Sequence, residues 1–260
     1  MVIKMIASDI DGTLLHSDSS ISGYTISVLE KCRAKGIKVV PVTARGSLAK
    51  IPELAGVVDG LVSSNGAAVY IGNNLIQHRI MTMDNILRTF VGAVTNAGIK
   101  IAVESTKGLF YANEDITKTL AGSWMLPYEK VDFSAITTDV KYIFAVTETT
   151  DEIELAKGII EQFLPDEWRM QVRATEGMIV IMHRDTMKSK GLSVLAERWG
   201  IKPSEIVAFG DDTIDIDLLE YCGTGVAVSN ALAEVKNIAD DICASNNDDG
   251  VARWIEKHML

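Results

Sequence analysis

Both ends of this chain alternate apolar, strand-like runs with helical stretches, and the middle does not, which narrows the folds open to it. Val2 to Ala7 reads as a buried strand. Ser22 to Lys35 reads as a helix, with Ile26, Leu29 and Cys32 at helical spacing and Gly36 as its stop. Ile37 to Val42 is a second strand, a helix begins near Ser47, and Gly60 to Ser63 is a third strand. The same rhythm returns late in the chain. Ser189 to Trp199 reads as a helix stopped by Gly200, Glu205 to Gly210 as a strand, Leu218 to Cys222 as a helix, Gly225 to Val228 as the final strand and Gly250 to Lys257 as the last helix. Such repeats imply a parallel sheet with right-handed crossovers. Ligands of these sheets sit beyond the carboxyl ends of the strands. Asp9, Asp11, Thr43 and Asp211 all fall at such ends.

The intervening rhythm is different. Gly72-Asn73-Asn74 between apolar runs reads as a hairpin turn. Thr82 is the expected N-cap of a helix running to Gly98. Strands are expected at Ile99 to Val103, Leu109 to Ala112, Tyr142 to Thr147, Trp168 to Arg173 and Met178 to Met182, with helices at Asp115 to Leu120 and Asp151 to Phe163. Strands in adjacent pairs suggest antiparallel pairing. A chain of 260 residues is also long for one compact core. The expected architecture is therefore α/β: a Rossmann-like parallel-sheet core from residues 1–82 and 189–260, with an α+β domain of residues 83–188 inserted into it.

Composition excludes several partners. A net charge of -10 argues against nucleic acid and against an anionic membrane surface. No stretch approaches the roughly 18 apolar residues of a membrane span, and the N-terminal run lacks a signal-peptide pattern. Cys32, Cys222 and Cys243 are scattered and form no CxxC, so neither a disulfide framework nor a zinc site is suggested. A cytoplasmic enzyme is the expectation.

The strand ends supply complementary chemistry. A period of two lets Asp9 and Asp11 converge, with Gly12 allowing a sharp turn behind them. Close carboxylates need a counter-ion, and Mg²⁺ takes oxygen ligands. Thr43 brings a hydroxyl, with the N–H groups of the following helix behind it; such a helix start favours an anion. Lys190 brings a positive charge and Asp211 a third carboxylate. A nucleophile, an acid/base, a metal and cationic clamps are what phosphoryl transfer requires. Each part alone has a plainer reading: turn aspartates, a helix-capping threonine, a solvated lysine. Asp211 to Asp217 is not an EF-hand loop, because Ile216 and Cys222 occupy its Gly and Glu positions. Asp212 and Asp217 read as turn and helix-start carboxylates, Asn246 to Asp249 as a solvated loop, and Met81, Met83, Met125, Met178 and Met182 as packing.

Taken in order, four of these stretches resemble the haloacid dehalogenase-like (HAD) phosphatases. They are Asp9-Ile10-Asp11-Gly12-Thr13-Leu14, Thr43 after Val39-Val40-Pro41-Val42, Ser189-Lys190-Gly191, and Gly210-Asp211-Asp212 with Asp215. The chain is most similar to the Cof-type subgroup, which carries a large α/β cap of the C2 type between the second and third motifs. Ser64-Asn65-Gly66-Ala67 and the stretch from Gly225 to Ala231 look Cof-like too. The resemblance implies that Asp9 attacks phosphorus and that Asp11 serves as acid and then base. It also implies that Asp9, the Asp11 backbone carbonyl and Asp211 hold Mg²⁺, and that Asp9, Thr43, Ala44 and Lys190 form the phosphate site. Asp215 would orient a metal-bound water from behind, and the cap would close over the site. Glu104, Arg173, Glu176 and Arg184 are cap residues that such closure could bring to the substrate. The family's fourth motif usually reads Gly-Asp-x-x-Asn-Asp; here Ile214 takes the Asn position and offers no hydrogen bond.

The expected activity is a Mg²⁺-dependent phosphatase acting on small phosphorylated metabolites, sugar phosphates among them, through an aspartyl phosphate. Two alternatives stand beside it. One is a sugar phosphomutase of the phosphomannomutase type; the other is a catalytically weak phospho-ligand binding or signalling protein, a reading Ile214 keeps open.

Overall fold

The computed structural model describes residues 2–82, 84–117, 127–133, 136 and 138–260. They form two compact units, Met1–His78 with Asp185–Leu260, and Arg79–Arg184. The sequence boundaries lie a few residues later at both junctions, so Lys188 belongs to the first unit.

The first unit is built on a five-stranded parallel sheet. Its strands run in the order Asp241–Cys243, Thr224–Val228, Ile206–Gly210, Met5–Ser8 and Lys38–Pro41. The apolar runs are continuous because both faces of the sheet are covered: Met5–Ser8 and Ile206–Gly210 are buried at every position. The helix Gly23–Ala34 follows the first strand, with Ser22 as its N-cap accepting from Thr25 N–H. Val28, Leu29 and Cys32 form its buried stripe, and Ile26 is half-buried. The edge strand Asp241–Cys243 is additional to the expected strands; only three residues long, it shows no periodicity of its own. The stretch after Thr43 is not the expected helix either. It is a series of bends followed by a single helical turn, Pro52–Ala55. A small antiparallel sheet, Leu61–Ser63, Ala68–Ile71 and Asn74–His78, contains the hairpin expected at Gly72.

The order of the parallel strands places the chemistry. Ser8 is level with Pro41 on one side and with Phe209 on the other. Residues just past these three strands therefore emerge side by side, with strands about 4.8 Å apart. The chain passes from Met5–Ser8 to a neighbour on one side and later returns to a neighbour on the other, which opens a crevice at that switch point.

The second unit carries a six-stranded sheet in the order Trp168–Arg173, Met178–His183, Val140–Val146, Lys100–Ser105, Phe110–Ala112 and Tyr128–Lys130. Pairing is antiparallel except between the last two strands. Helices Asn85–Asn96 and Thr150–Phe163 share a core with one sheet face. Leu87, Phe90, Val91 and Val94 make the buried stripe of the first. Its cap is Asp84, not Thr82: the Asp84 carboxylate accepts from Leu87 N–H at 3.1 Å. Met81, Met178 and Met182 are buried packing residues. Met83, Met125 and the part of the expected Asp115 to Leu120 helix at 118–120 lie outside the described residues. No helix among the described residues is long and apolar enough to cross a membrane.

Candidate active site

Asp9 and Asp211 follow directly on two of the three neighbouring strands and Thr43 follows the third after one intervening residue, and the structure brings them together with a lysine. That lysine is Lys188, not Lys190. Lys188 opens the helix Lys188–Trp199 and is only 1% exposed. Its Nζ donates to Asp9 Oδ1 at 2.5 Å and to Asp215 Oδ1 at 2.5 Å. Two residues along a helix turn the side chain by about 200°, and Lys190 is accordingly exposed to solvent. The expected helix starts at Ser189, one residue late, and the lysine the structure sets against the carboxylates is Lys188 where the motif points to Lys190.

Close packing fixes the start of that helix. Gly66, with φ of +95°, lies against Met187 so tightly that a Cβ there would overlap the Met187 carbonyl. The Ser189 N–H is capped by Asp217 Oδ2 at 2.8 Å. The Ser64-Asn65-Gly66 turn also receives the loop after Thr43: Ser64 N–H donates to the Arg45 carbonyl and Asn65 N–H to the Thr43 carbonyl, both at 2.9 Å.

The carboxylates are crowded. Burial pushes the Asp9 pKa up to about 8; Lys188 opposes this, while Asp215 and Asp211 add to it. Burial likewise raises Asp211 to about 6, against a 2.6 Å hydrogen bond from the Thr13 hydroxyl. Burial works against the Lys188 charge, but Asp9 and Asp215 outweigh it and raise its pKa. One ammonium does not neutralise three carboxylates at this range. Gly12, with φ of +81°, is needed here because a side chain would meet the Asp211 carboxylate.

Carboxylate oxygens of Asp9, Asp211 and Asp215 lie within 4.8 Å of one another. Asp215 is already committed: one oxygen accepts from Lys188, the other from the N–H groups of Asp211 and Asp212 at 3.0 and 3.1 Å. Asp9 and Asp211 keep lone pairs for a cation, and hard oxygen donors with excess negative charge fit Mg²⁺. The Asp11 carboxylate is not part of this cluster. Half-exposed, it is held by Arg45 through Nε at 2.7 Å and Nη2 at 2.5 Å. Thr43 is buried, and its Oγ1 accepts from Arg45 N–H at 3.0 Å, which leaves the hydroxyl proton to donate. Ala44 is exposed in the bend after Thr43, so any phosphate would meet loop N–H groups there, not a helix start. Ile214 is half-buried in the turn Thr213–Asp215, and its side chain can neither donate nor accept a hydrogen bond.

Sequence reasoning missed the outer support of this loop. Asn230 Nδ2 donates to the Gly12 carbonyl at 2.7 Å. Asn246, buried and far from the solvated loop expected of it, donates to the Leu15 carbonyl at 2.9 Å, and its N–H reaches Asn230 Oδ1 at 3.0 Å. Asp249 accepts from Ser22 and Thr25 hydroxyls and pairs with His16 at 3.0 Å. Asp212 is a turn carboxylate, as its composition suggested, accepting from Thr213 N–H. In the second unit Glu104 pairs with Lys141, and Arg173 with Glu176 at 3.1 Å.

A family model described as haloacid dehalogenase-like hydrolase matches residues 6–255. Phosphatase YwpJ of Bacillus subtilis is 26% identical over 287 residues, covering 99% of this chain and 100% of that protein. The 5-amino-6-(5-phospho-D-ribitylamino)uracil phosphatase YbjI of Escherichia coli is 26% identical over 263 residues, covering 99% and 96%. The solved structure of a haloacid dehalogenase-like hydrolase from Bacteroides thetaiotaomicron superposes with a TM-score of 0.83 at 23% identity, covering 98% of this chain and 99% of that one.

Proposed function

The chain belongs to the haloacid dehalogenase-like hydrolases and is a phosphatase, and on that premise we propose that it hydrolyses phosphomonoesters of small metabolites, sugar and polyol phosphates among them, with Mg²⁺. The observation that carries the reading is the buried triad in which Lys188 bridges Asp9 and Asp215 beside Asp211. Bound between Asp9, the Asp11 backbone carbonyl and Asp211, Mg²⁺ would offset the charge that keeps Asp9 protonated and would polarise the phosphoryl group. Lys188 holds one Asp9 oxygen, leaving the other to attack phosphorus. The ester P–O bond breaks as the Asp9 O–P bond forms, and Asp11 gives its proton to the departing oxygen. Asp11 then takes a proton from water as that water attacks the aspartyl phosphate, releasing phosphate and restoring Asp9. Thr43 and Lys188 steady the phosphoryl oxygens throughout. The three cysteines are buried thiols, in keeping with a cytoplasmic setting.

The test is phosphate release from a panel of phosphorylated sugars, polyols and nucleotides, with and without Mg²⁺, alongside Asp9→Asn. Release that needs Mg²⁺ and is abolished by Asp9→Asn supports the reading. Undiminished turnover by the variant overturns the nucleophile. Isomerisation of a sugar bisphosphate without phosphate release would instead identify a mutase.

A further inference from the structure

One side chain of this site neither attacks phosphorus nor carries a proton in the proposed reaction. Arg45 lies in the bend after Thr43, and three of its contacts reach different pieces of the machinery. Its guanidinium grips both oxygens of Asp11, at 2.7 and 2.5 Å. Its N–H donates to Thr43 Oγ1 at 3.0 Å. Its carbonyl is held by Ser64 N–H at 2.9 Å. The Asp11 carboxylate itself is 50% exposed, on a turn where Gly12 has positive φ. A half-exposed aspartate in such a position would sample several rotamers if nothing held it. A planar fork with two parallel donors fixes its orientation in a way a single ammonium does not.

Resting on the phosphatase reading above, we propose that Arg45 is the positioning residue for Asp11, and that it ties the aim of the acid/base to the Thr43 phosphate grip. The coupling is structural. The same residue sets the direction of the Thr43 hydroxyl through its N–H and the direction of the Asp11 carboxylate through its side chain. Ser64 pins the backbone that both contacts start from. Arg45 takes no proton and forms no bond to phosphorus; when Asp11 carries the proton, its O–H oxygen turns from the guanidinium to the leaving oxygen, and the remaining bond from Arg45 keeps the carboxyl aimed there.

The consequence is a dependence on the leaving group. An alkyl phosphate must have its departing alkoxide protonated; p-nitrophenyl phosphate loses a stable phenolate without help. The ratio kcat/KM reports steps up to aspartyl-phosphate formation and is blind to the later attack of water. The full chain with Mg²⁺ is assayed as wild type, Arg45→Ala, Arg45→Lys and Asp11→Asn on a sugar 6-phosphate and on p-nitrophenyl phosphate. Arg45→Ala is expected to lower kcat/KM about 100-fold on the alkyl ester and less than about tenfold on the aryl ester, within the range general acid catalysis commands. Asp11→Asn should show the same split more strongly, and Arg45→Lys should recover only part of the loss. Equal losses on both esters, no loss, or a change confined to KM would overturn the proposal, the last by making Arg45 a substrate-binding group. A wild type that hydrolyses neither ester would overturn the phosphatase reading, and this inference with it.

Discussion

Ser189 donates its backbone N–H to the carboxylate of Asp217 at 2.8 Å, across the gap between two helices. The helix it belongs to has Met187 at its N-cap position, and Met187 has no side chain that can cap. Asp217 therefore supplies from outside what a local Ser or Asp would supply elsewhere. The helix start it secures is the one that carries Lys188. Asp217→Ala is expected to destabilise the protein by about 1 kcal/mol, the usual worth of a cap, and to lower kcat more than it raises KM. Asp217→Asn keeps an acceptor and should retain most of both. Urea unfolding and steady-state kinetics on the same preparations check this.

Lys188 and Lys190 are separated by two residues and should behave oppositely. Removing Lys188 leaves Asp9 and Asp215 buried without their cation, and breaking such a pair from one side costs about 3–5 kcal/mol. Lys188→Met should therefore unfold at markedly lower urea and have no measurable phosphatase activity. Lys190→Ala removes an exposed lysine and should stay within about 0.5 kcal/mol of wild type, with activity unchanged. Loss of activity in Lys190→Ala would restore the assignment drawn from the motif alone.

The difference between Lys188 and Lys190 marks where a linear sequence stops specifying a site. The parallel rhythm, the strand ends and the acidic residues on them follow from hydrophobic runs a few residues long, and those were legible. The choice between Lys188 and Lys190 depends on where a helix starts, and here the start is set by Gly66 against Met187 and by Asp217, none of them neighbours in sequence. The helix expected after Thr43 is replaced by bends, because Gly46 and Pro52 leave too few residues to nucleate one. The polarity of its own segment marks Asn246 as a solvated loop residue, yet its partner Leu15 is 231 residues away. Pairing with a distant carbonyl turns a loop residue into a buried one and leaves no local mark.

Asp9 ties stability and metal binding to pH. In the folded protein it keeps its proton up to about pH 8, whereas in the unfolded chain it loses it near the ordinary value of 3.8. Between these values the folded state binds more protons, so stability falls as pH rises through that window. Asp211 acts in the same direction between 3.8 and about 6. Carboxylates whose pKa is lowered, such as Asp249 and Asp241, act only at more acid pH. The metal-free protein should thus lose stability from about pH 4 to about pH 8, and Asp9→Asn should remove most of that slope. Since Mg²⁺ needs ionised ligands, its affinity should tighten from about pH 6 to about pH 8, with proton release on binding. Urea unfolding in a chelator across the range, and calorimetric Mg²⁺ titrations in two buffers of different ionisation enthalpy, measure both effects. A flat stability profile, or Mg²⁺ binding without proton release, would contradict an Asp9 whose burial outweighs its bond to Lys188.

Asn246 and Asn230 form a relay from the C-terminal segment to the loop bearing Asp9 and Asp11. Asn246 N–H reaches Asn230 Oδ1, Asn230 holds the Gly12 carbonyl, and Asn246 itself holds the Leu15 carbonyl. Gly12 and Leu15 bracket the turn whose backbone faces the Asp211 carboxylate. Deleting the Asn246 amide leaves a buried carbonyl without its donor, at a cost of about 1–3 kcal/mol. Asn246→Asp is the sharper probe, because it keeps the size and the oxygen but replaces the donor facing Leu15 with an anion. Repulsion from the carbonyl should make it more destabilising than Asn246→Ala, and Mg²⁺ should bind more weakly to both, since the turn that positions the Asp11 carbonyl is then held at one point instead of two. Chemical denaturation ranks the two variants, and direct Mg²⁺ titration of each shows whether the loosened turn reaches the metal ligands. An Asn246→Asp protein as stable as wild type, with unaltered Mg²⁺ affinity, would mean that the relay does not hold the turn.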